Sequence, residues 1–373
     1  MRHWGCSHGA AAVCVVVLAL VLAGGASAVT HVSGNVTANT TWTLAGSPYV
    51  IDGSVNVRPG VTLTINPGVV VKFNGQFGTL WVNGALSAVG TPGQRIVFTS
   101  IQDDSVGGDT GGDGPTQGAP GQWYMISFMS GSSGFVQYAD VDYGGYGGAN
   151  WAYGGVHLQS GGTATLDNDR FLSNQRSGVQ ISSGSGATVS NSEFAGNADG
   201  VATSNAWLNL TGTSIHNNSD TGLFVNTSGY TGAPVAATGN KISNNGRYGV
   251  QLWADPSSPV ASQPYGHGND IFGNGTKELS SLLNLPTSDW TNNYWGEGPL
   301  GLGIVEMACP WAPPTTTQLH LGYVSDILLG KSPPGGPVNF STWVLPGSDP
   351  PLKCAADYVL DVPHATSPQT GGP

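Results

Sequence analysis

An apolar residue followed three places later by asparagine occurs five times along the chain: Phe171/Asn174, Phe194/Asn197, Ile215/Asn218, Ile242/Asn245 and Ile271/Asn274. The intervals are 23, 21, 27 and 29 residues. A second landmark keeps step with it. Gly155, Gly178, Gly200, Gly222 and Gly249 precede VHLQ, VQIS, VATS, LFVN and VQLW, at intervals of 23, 22, 22 and 27. A unit of roughly 22 residues holds three short strands and their turns, too little to bury its own apolar face. Stacked units, about 4.8 Å apart, bury a continuous core. The repeat therefore predicts an all-β parallel solenoid. A β-propeller needs units of about 40–45 residues, and a β-sandwich would not hold this register.

The first third carries the same period in other residues. YVI, VNV and LTI between Tyr49 and Ile65 read as three short strands, repeated by VVVKF, LWV and LSAV between Val69 and Val89. RPG, NPG, NGQ and TPG supply the corners between them. Composition agrees: 58 glycines and 9 % charged residues, against about 25 % charged in a typical domain, suit many strands joined by many turns. The 39 % hydrophobic content is enough for a core.

At this point the chain resembles the right-handed parallel β-helix repeat proteins of the pectate lyase-like fold. The segments VRPGVTLTINPGVVVKF and GTLWVNGALSAVGTPGQRIVFTS are similar to the opening coils of secreted bacterial members. NNYWG, Asn292 to Gly296, resembles their closing motif, and VNFSTW, Val338 to Trp343, the strand after it. The resemblance implies a single-stranded right-handed β-helix of roughly ten coils with an irregular C-terminal cap. It implies no single activity, because this fold hosts lyases, hydrolases and adhesins.

Residues 1–28 read as a signal peptide, with Arg2 before an apolar run of 14 residues, Ala10 to Ala23, and Ala26-Ser27-Ala28 at the cleavage point. The alternative is an uncleaved anchor. No other run is long enough to span a membrane. Residues 29–296 are expected to form the β-helix, with an acidic insertion at 101–122. Residues 297–363 would form a Pro-rich cap, and 364–373 a flexible tail. Cleavage leaves 10 cations against 22 acids, a net charge of −12. That argues against nucleic acid as a partner and suits calcium or a neutral polysaccharide. Cys309 and Cys354 are expected to pair in an oxidising compartment. A secreted monomer is expected.

Candidate chemistry lies outside the repeat's core. Asp140 and Asp142 alternate onto one face, and Arg170 and Glu193 follow Asp140 in the column beside Phe171 and Phe194. This quartet is either a catalytic strip or a solvated face of alternating sign. Asp103, Asp104, Asp109 and Asp113 lie within eleven residues among glycines, which reads as a structural Ca2+ site or a plain loop. Trp123, Tyr146, Trp151 and Tyr153 could stack on sugar rings or pack over the coil edge. The asparagines Asn174, Asn197, Asn218, Asn245 and Asn274 are expected at one corner of successive coils, tolerating left-handed turns and forming a hydrogen-bonded ladder. The expectation is a secreted or cell-surface protein that contacts polysaccharide or cell-surface glycan, or serves as a rod, without catalysis. The alternative is a polysaccharide lyase or glycoside hydrolase.

Overall fold

A computed structural model describes residues 29–147, 153–228, 230–253 and 263–281, residues 290 and 293, and the strands Val305–Ala308 and Thr317–Leu319. Among these residues the chain winds as a right-handed parallel β-helix. One sheet of nine strands runs from Thr40–Trp42 to Tyr265–His267, one strand per coil. The other two faces join into a sheet of 19 strands, because early coils carry long bent strands that serve both faces. Tyr49–Val57 and Val70–Val82 are such strands. YVI and VNV are thus one strand rather than two, bent where Gly53 takes a φ of +81° and the register slips between Asp52 and Ser54.

The repeat sets the register. Phe98, Val141, Phe171, Phe194, Ile215, Ile242 and Ile271 stack coil upon coil, all fully buried. The Phe171 and Phe194 rings stack with centroids 4.6 Å apart and nearly parallel planes. The glycine column makes room for these side chains: a Cβ on Gly200 would stand 2.4 Å from Ile215 Cγ2. Strand Val305–Ala308 adds in parallel to Lys277–Ser281, and Thr317–Leu319 closes antiparallel onto it. The sheet therefore continues past the expected boundary at residue 296. No helix among the described residues is long and apolar enough to cross a membrane. Residues 1–28, the tail, Cys309, Cys354 and Trp151 lie outside the described residues.

Candidate functional site

The asparagine ladder builds the corner from which the candidate site projects. Asn174 Nδ2 donates to Asn197 Oδ1 (3.0 Å), Asn197 to Asn218, Asn218 to Asn245 and Asn245 to Asn274 (2.9 Å each). Each Oδ1 also accepts the backbone N–H of the preceding asparagine. The stack starts at Gly144 N–H and ends on the Glu278 carboxylate. The left-handed residue is not the ladder asparagine but the one before it: Ser173, Gly196, Asn217, Asn244 and Gly273 have φ of 55, 69, 54, 56 and 69°.

Two residues or so past each ladder asparagine, Arg176, Ala198, Asp220 and Arg247 join coil to coil by backbone hydrogen bonds. With Asp199 they place charge at the edge of a cleft of about 510 Å³ on the outward face of the larger sheet. Gln180, Ala202, Phe224 and Gln251 stack across its floor, and Tyr153 and Ser204 complete its lining. Asp199 Oδ1 accepts the Thr221 N–H at 3.1 Å. Burial first, then the Asp220 charge, pushes the Asp199 carboxyl up to about 6, against the pull of Thr221 N–H, Arg176 and Arg247. Arg247 pairs with Asp220 at 3.6 Å. Asp199 and Asp220 thus sit on successive coils at one edge of the cleft, an arrangement able to bind hydroxyls. The sequence reading missed both.

The predicted quartet is brought together only in part. Asp140, Arg170, Glu193, Ser214, Lys241 and Asp270 do form one column. Arg170 lies 3.9 Å from Asp140 and 3.8 Å from Glu193, and His216 Nε2 is 3.2 Å from Glu193. Arg95, however, ties Asp140 down at 2.7 Å, and partly exposed pairs of this kind are worth little. Asp142 departs from the group. Burial first, then Asp140 and Asp103, pushes its carboxyl up to about 8, opposed by Leu172 N–H and Arg170. A carboxyl that gains proton affinity on folding stabilises fully below its unfolded value near 4, and this contribution is lost as pH rises through 8. Asp142→Asn should therefore gain about 1–2 kcal/mol on the wild type at pH 9 compared with pH 4. Denaturant midpoints at the two pH values measure it, and equal gains at both would contradict the assignment.

The acidic insertion turns inward around an ammonium group. Lys72 is fully buried and donates to Gly108 O at 2.6 Å. Burial lowers its pKa, and Asp104, Asp103 and Asp109 oppose that shift. Several of the carboxylate oxygens are engaged by neighbouring groups, while Asp104 Oδ1 is buried with no hydrogen-bond partner among the described residues. Asp103 accepts from Thr99 and Ser105, Asp104 from Thr116, and Asp109 from Gly112 and Gly114 N–H. Asp113 is not drawn into this network. Among the described residues no three such side chains gather into a metal site, so the four aspartates do not fit a calcium cage of six to eight oxygens.

The aromatic candidates separate. Trp123 is fully buried, stacked on Phe73 at 4.0 Å, and its indole N–H donates to Asp142 O at 2.7 Å. It is core, and its expected sugar contact is corrected: Phe73 stacks on the ring, Gly144 packs against it, and it is fully buried within the hydrophobic core. Tyr153 packs 5.2 Å from Tyr124 at the rim of the 510 Å³ cleft. Tyr146 belongs to a different cleft.

One comparison with known proteins agrees on the fold. Residues 126–276 match the family model described as a right-handed beta helix region. Over 80 residues the chain is 41 % identical to Protein bark beetle of Drosophila melanogaster, a stretch covering 19 % of this chain and 2 % of that protein. The chain therefore corresponds to only a small part of that relative. Among solved structures it is similar to the periplasmic alginate epimerase AlgG, with TM-score 0.38, 14 % identity, and 67 % and 73 % of the two chains covered. A single-substitution mutant of that protein gives 0.41 and 12 % over the same shares. Likenesses at this level concern the path of the chain alone.

Proposed function

We infer that this chain, a right-handed β-helix repeat protein over residues 126–276, is secreted or displayed at the cell surface and contacts an extracellular glycan. The observation that carries this reading is the cleft in which Asp199, Asp220 and Arg247 stand over Gln180, Phe224 and Gln251. Saccharides offer hydroxyls that donate and accept, together with apolar ring faces. Carboxylates, amides and a phenyl ring spread along stacked strands match that mixture. Export is supported by the apolar run and small-residue cleavage pattern before Val29.

Charge-assisted hydrogen bonds are stronger than neutral ones. Asp199, with a pKa near 6, should hold a neutral glycan more tightly as pH rises from 5 to 7, by a factor of a few. Asp199→Asn should flatten that dependence, with melting curves at both pH values confirming that the variant is folded. Calorimetry against plant, algal and bacterial oligosaccharides at both pH values measures it. Affinity that stays flat in the wild type would remove Asp199 from the site.

A second reading, glycan cleavage, is favoured by one observation: the Asp199 carboxyl, pushed up to about 6 by burial and the Asp220 charge, lines the same cleft as a second carboxyl, Asp220, and paired carboxyls are what acid-assisted cleavage uses. The same panel, scored for new reducing or unsaturated ends, separates the two. Turnover abolished in Asp199→Asn establishes cleavage, and binding without new ends establishes the non-catalytic reading.

A further inference from the structure

The second cleft, about 360 Å³, lies where the acidic insertion meets the bent strand Val70–Val82. Its walls carry five carboxamides, from Asn74, Gln76, Gln102, Gln122 and Gln175, and the ring of Tyr146. No carboxylate, ammonium, guanidinium or imidazole lines it, which is notable in so acidic a chain. At its edge Phe77 is 75 % exposed, on the bend that Gly75 makes at a φ of +83°. The Phe77 ring meets Tyr146 edge-to-face at 6.0 Å. Phe77 and Tyr146 together present adjoining aromatic rings at the edge of the polar cleft, where an apolar face of a ligand can lie.

The amides are partly held in place and partly open. Gln122 accepts the Ala119 N–H at 2.9 Å and donates to Gln102 Oε1 at 3.1 Å, which orients Gln102 with its own N–H groups unspent. Asn74 is anchored on Asp52 at 2.8 Å. Gln76 and Gln175 use no side-chain hydrogen bond among the described residues. Gly121, at a φ of +81°, leaves the space that Gln175 occupies: a Cβ there would stand 2.7 Å from Gln175 Cδ.

We propose that this amide-lined cleft, with the Phe77 and Tyr146 rings, is a second binding site, specific for an uncharged saccharide and independent of the Asp199 cleft. Each carboxamide offers both donors and an acceptor, the complement of a hydroxyl. The exposed ring covers the apolar C–H face of a sugar. An anionic sugar would surrender its hydration here and meet no counter-charge, so it is rejected. With no group lining the cleft that titrates between pH 5 and 7, binding here does not change over that range, unlike binding at Asp199.

The test is calorimetry of the full chain with neutral linear oligosaccharides of glucose, mannose and xylose, and with a uronic acid oligosaccharide, at pH 5 and pH 7. The expected result is a pH-independent affinity for at least one neutral oligosaccharide. It should fall tenfold or more in Phe77→Ala and in the double variant Gln102→Ala/Gln175→Ala, recover in Phe77→Tyr, and persist in Asp199→Asn. Both altered surfaces are exposed, and unchanged melting curves confirm that the variants are folded. Neutral binding that survives both variants overturns the proposal. So does tighter binding of the uronic acid oligosaccharide lost in the same variants. Binding abolished by Asp199→Asn alone overturns it while leaving the Asp199 reading in place, and an absence of binding to every oligosaccharide overturns both.

Discussion

Trp123→Ala should unfold this protein about 3–5 kcal/mol more easily, and any loss of glycan binding should follow from that. The ring lies face to face with Phe73 at 4.0 Å and is fully buried. Its indole N–H reaches Asp142 O, which lies on the strand Ala139–Asp142 of the following coil. Truncation removes one of the two fully buried tryptophans among the described residues and leaves a cavity that rigid stacked coils cannot close. It also frees the root of the insertion, since Gln122 is the neighbouring residue and lines the amide cleft. Thermal melting should drop by on the order of 10 °C. Trp123→Phe should recover most of this, because it keeps the stacked face and forfeits only the N–H bond. A wild-type melting curve together with weakened glycan binding would restore the sugar-platform reading of this ring.

Where periodicity carried the signal, the structure was legible. The Phe/Ile column and its outward neighbours from Asp140 to Asp270 follow from spacing alone, because a parallel stack places residue i of each coil beside its counterpart in the next. The corner site was in view but misaligned. FLSNQRSG, FAGNADG and IHNNSDTG place Arg176, Asp199 and Asp220 between the ladder asparagine and the glycine, and reading that interval as a column would have found the charged rim. Burial was not legible. Asp142 alternates with Val141 like any outward residue, yet its Oδ1 is buried with no hydrogen-bond partner among the described residues. Trp123 looked like an exposed aromatic because nothing in its spacing tells that it packs into the core against Phe73 and Gly144.

A second ladder was invisible for a different reason. Ala139 N–H donates to Asp169, then Asp169 to Ser192, Ser192 to Thr213, Thr213 to Asn240, Asn240 to Asn269 and Asn269 to Asn293. Any short side chain with an oxygen can accept a backbone N–H here. The column therefore runs Asp, Ser, Thr, Asn, Asn, Asn, with no residue type to count. Of the NNYWG motif, Asn293 is among the described residues, and its Oδ1 extends this ladder by accepting from Asn269.

That contrast sets the size of the other large effect. Asn218→Ala should destabilise the chain by about 3 kcal/mol. Asn218 is 1 % exposed. Its Oδ1 serves Asn197 N–H and Asn197 Nδ2, and its Nδ2 serves Phe194 O and Asn245 Oδ1. Alanine deprives four groups at once in a corner closed to water, and each unsatisfied buried group costs about 1–3 kcal/mol if nothing relaxes. Partial relaxation keeps the sum well below four full penalties. Asn218→Ser separates the two functions of the amide. As Ser192 and Thr213 do in the second ladder, a hydroxyl can accept the Asn197 N–H, but it cannot span to Asn245. Its cost should fall between wild type and alanine. Equilibrium denaturation of the three proteins gives the order directly. Equal midpoints for alanine and wild type would mean that the backbone ladder alone holds the corner. Because Asp220 follows Asn218 by two residues, a loosened corner should also blunt the pH dependence of glycan affinity, which Phe77→Ala on the opposite cleft should leave untouched.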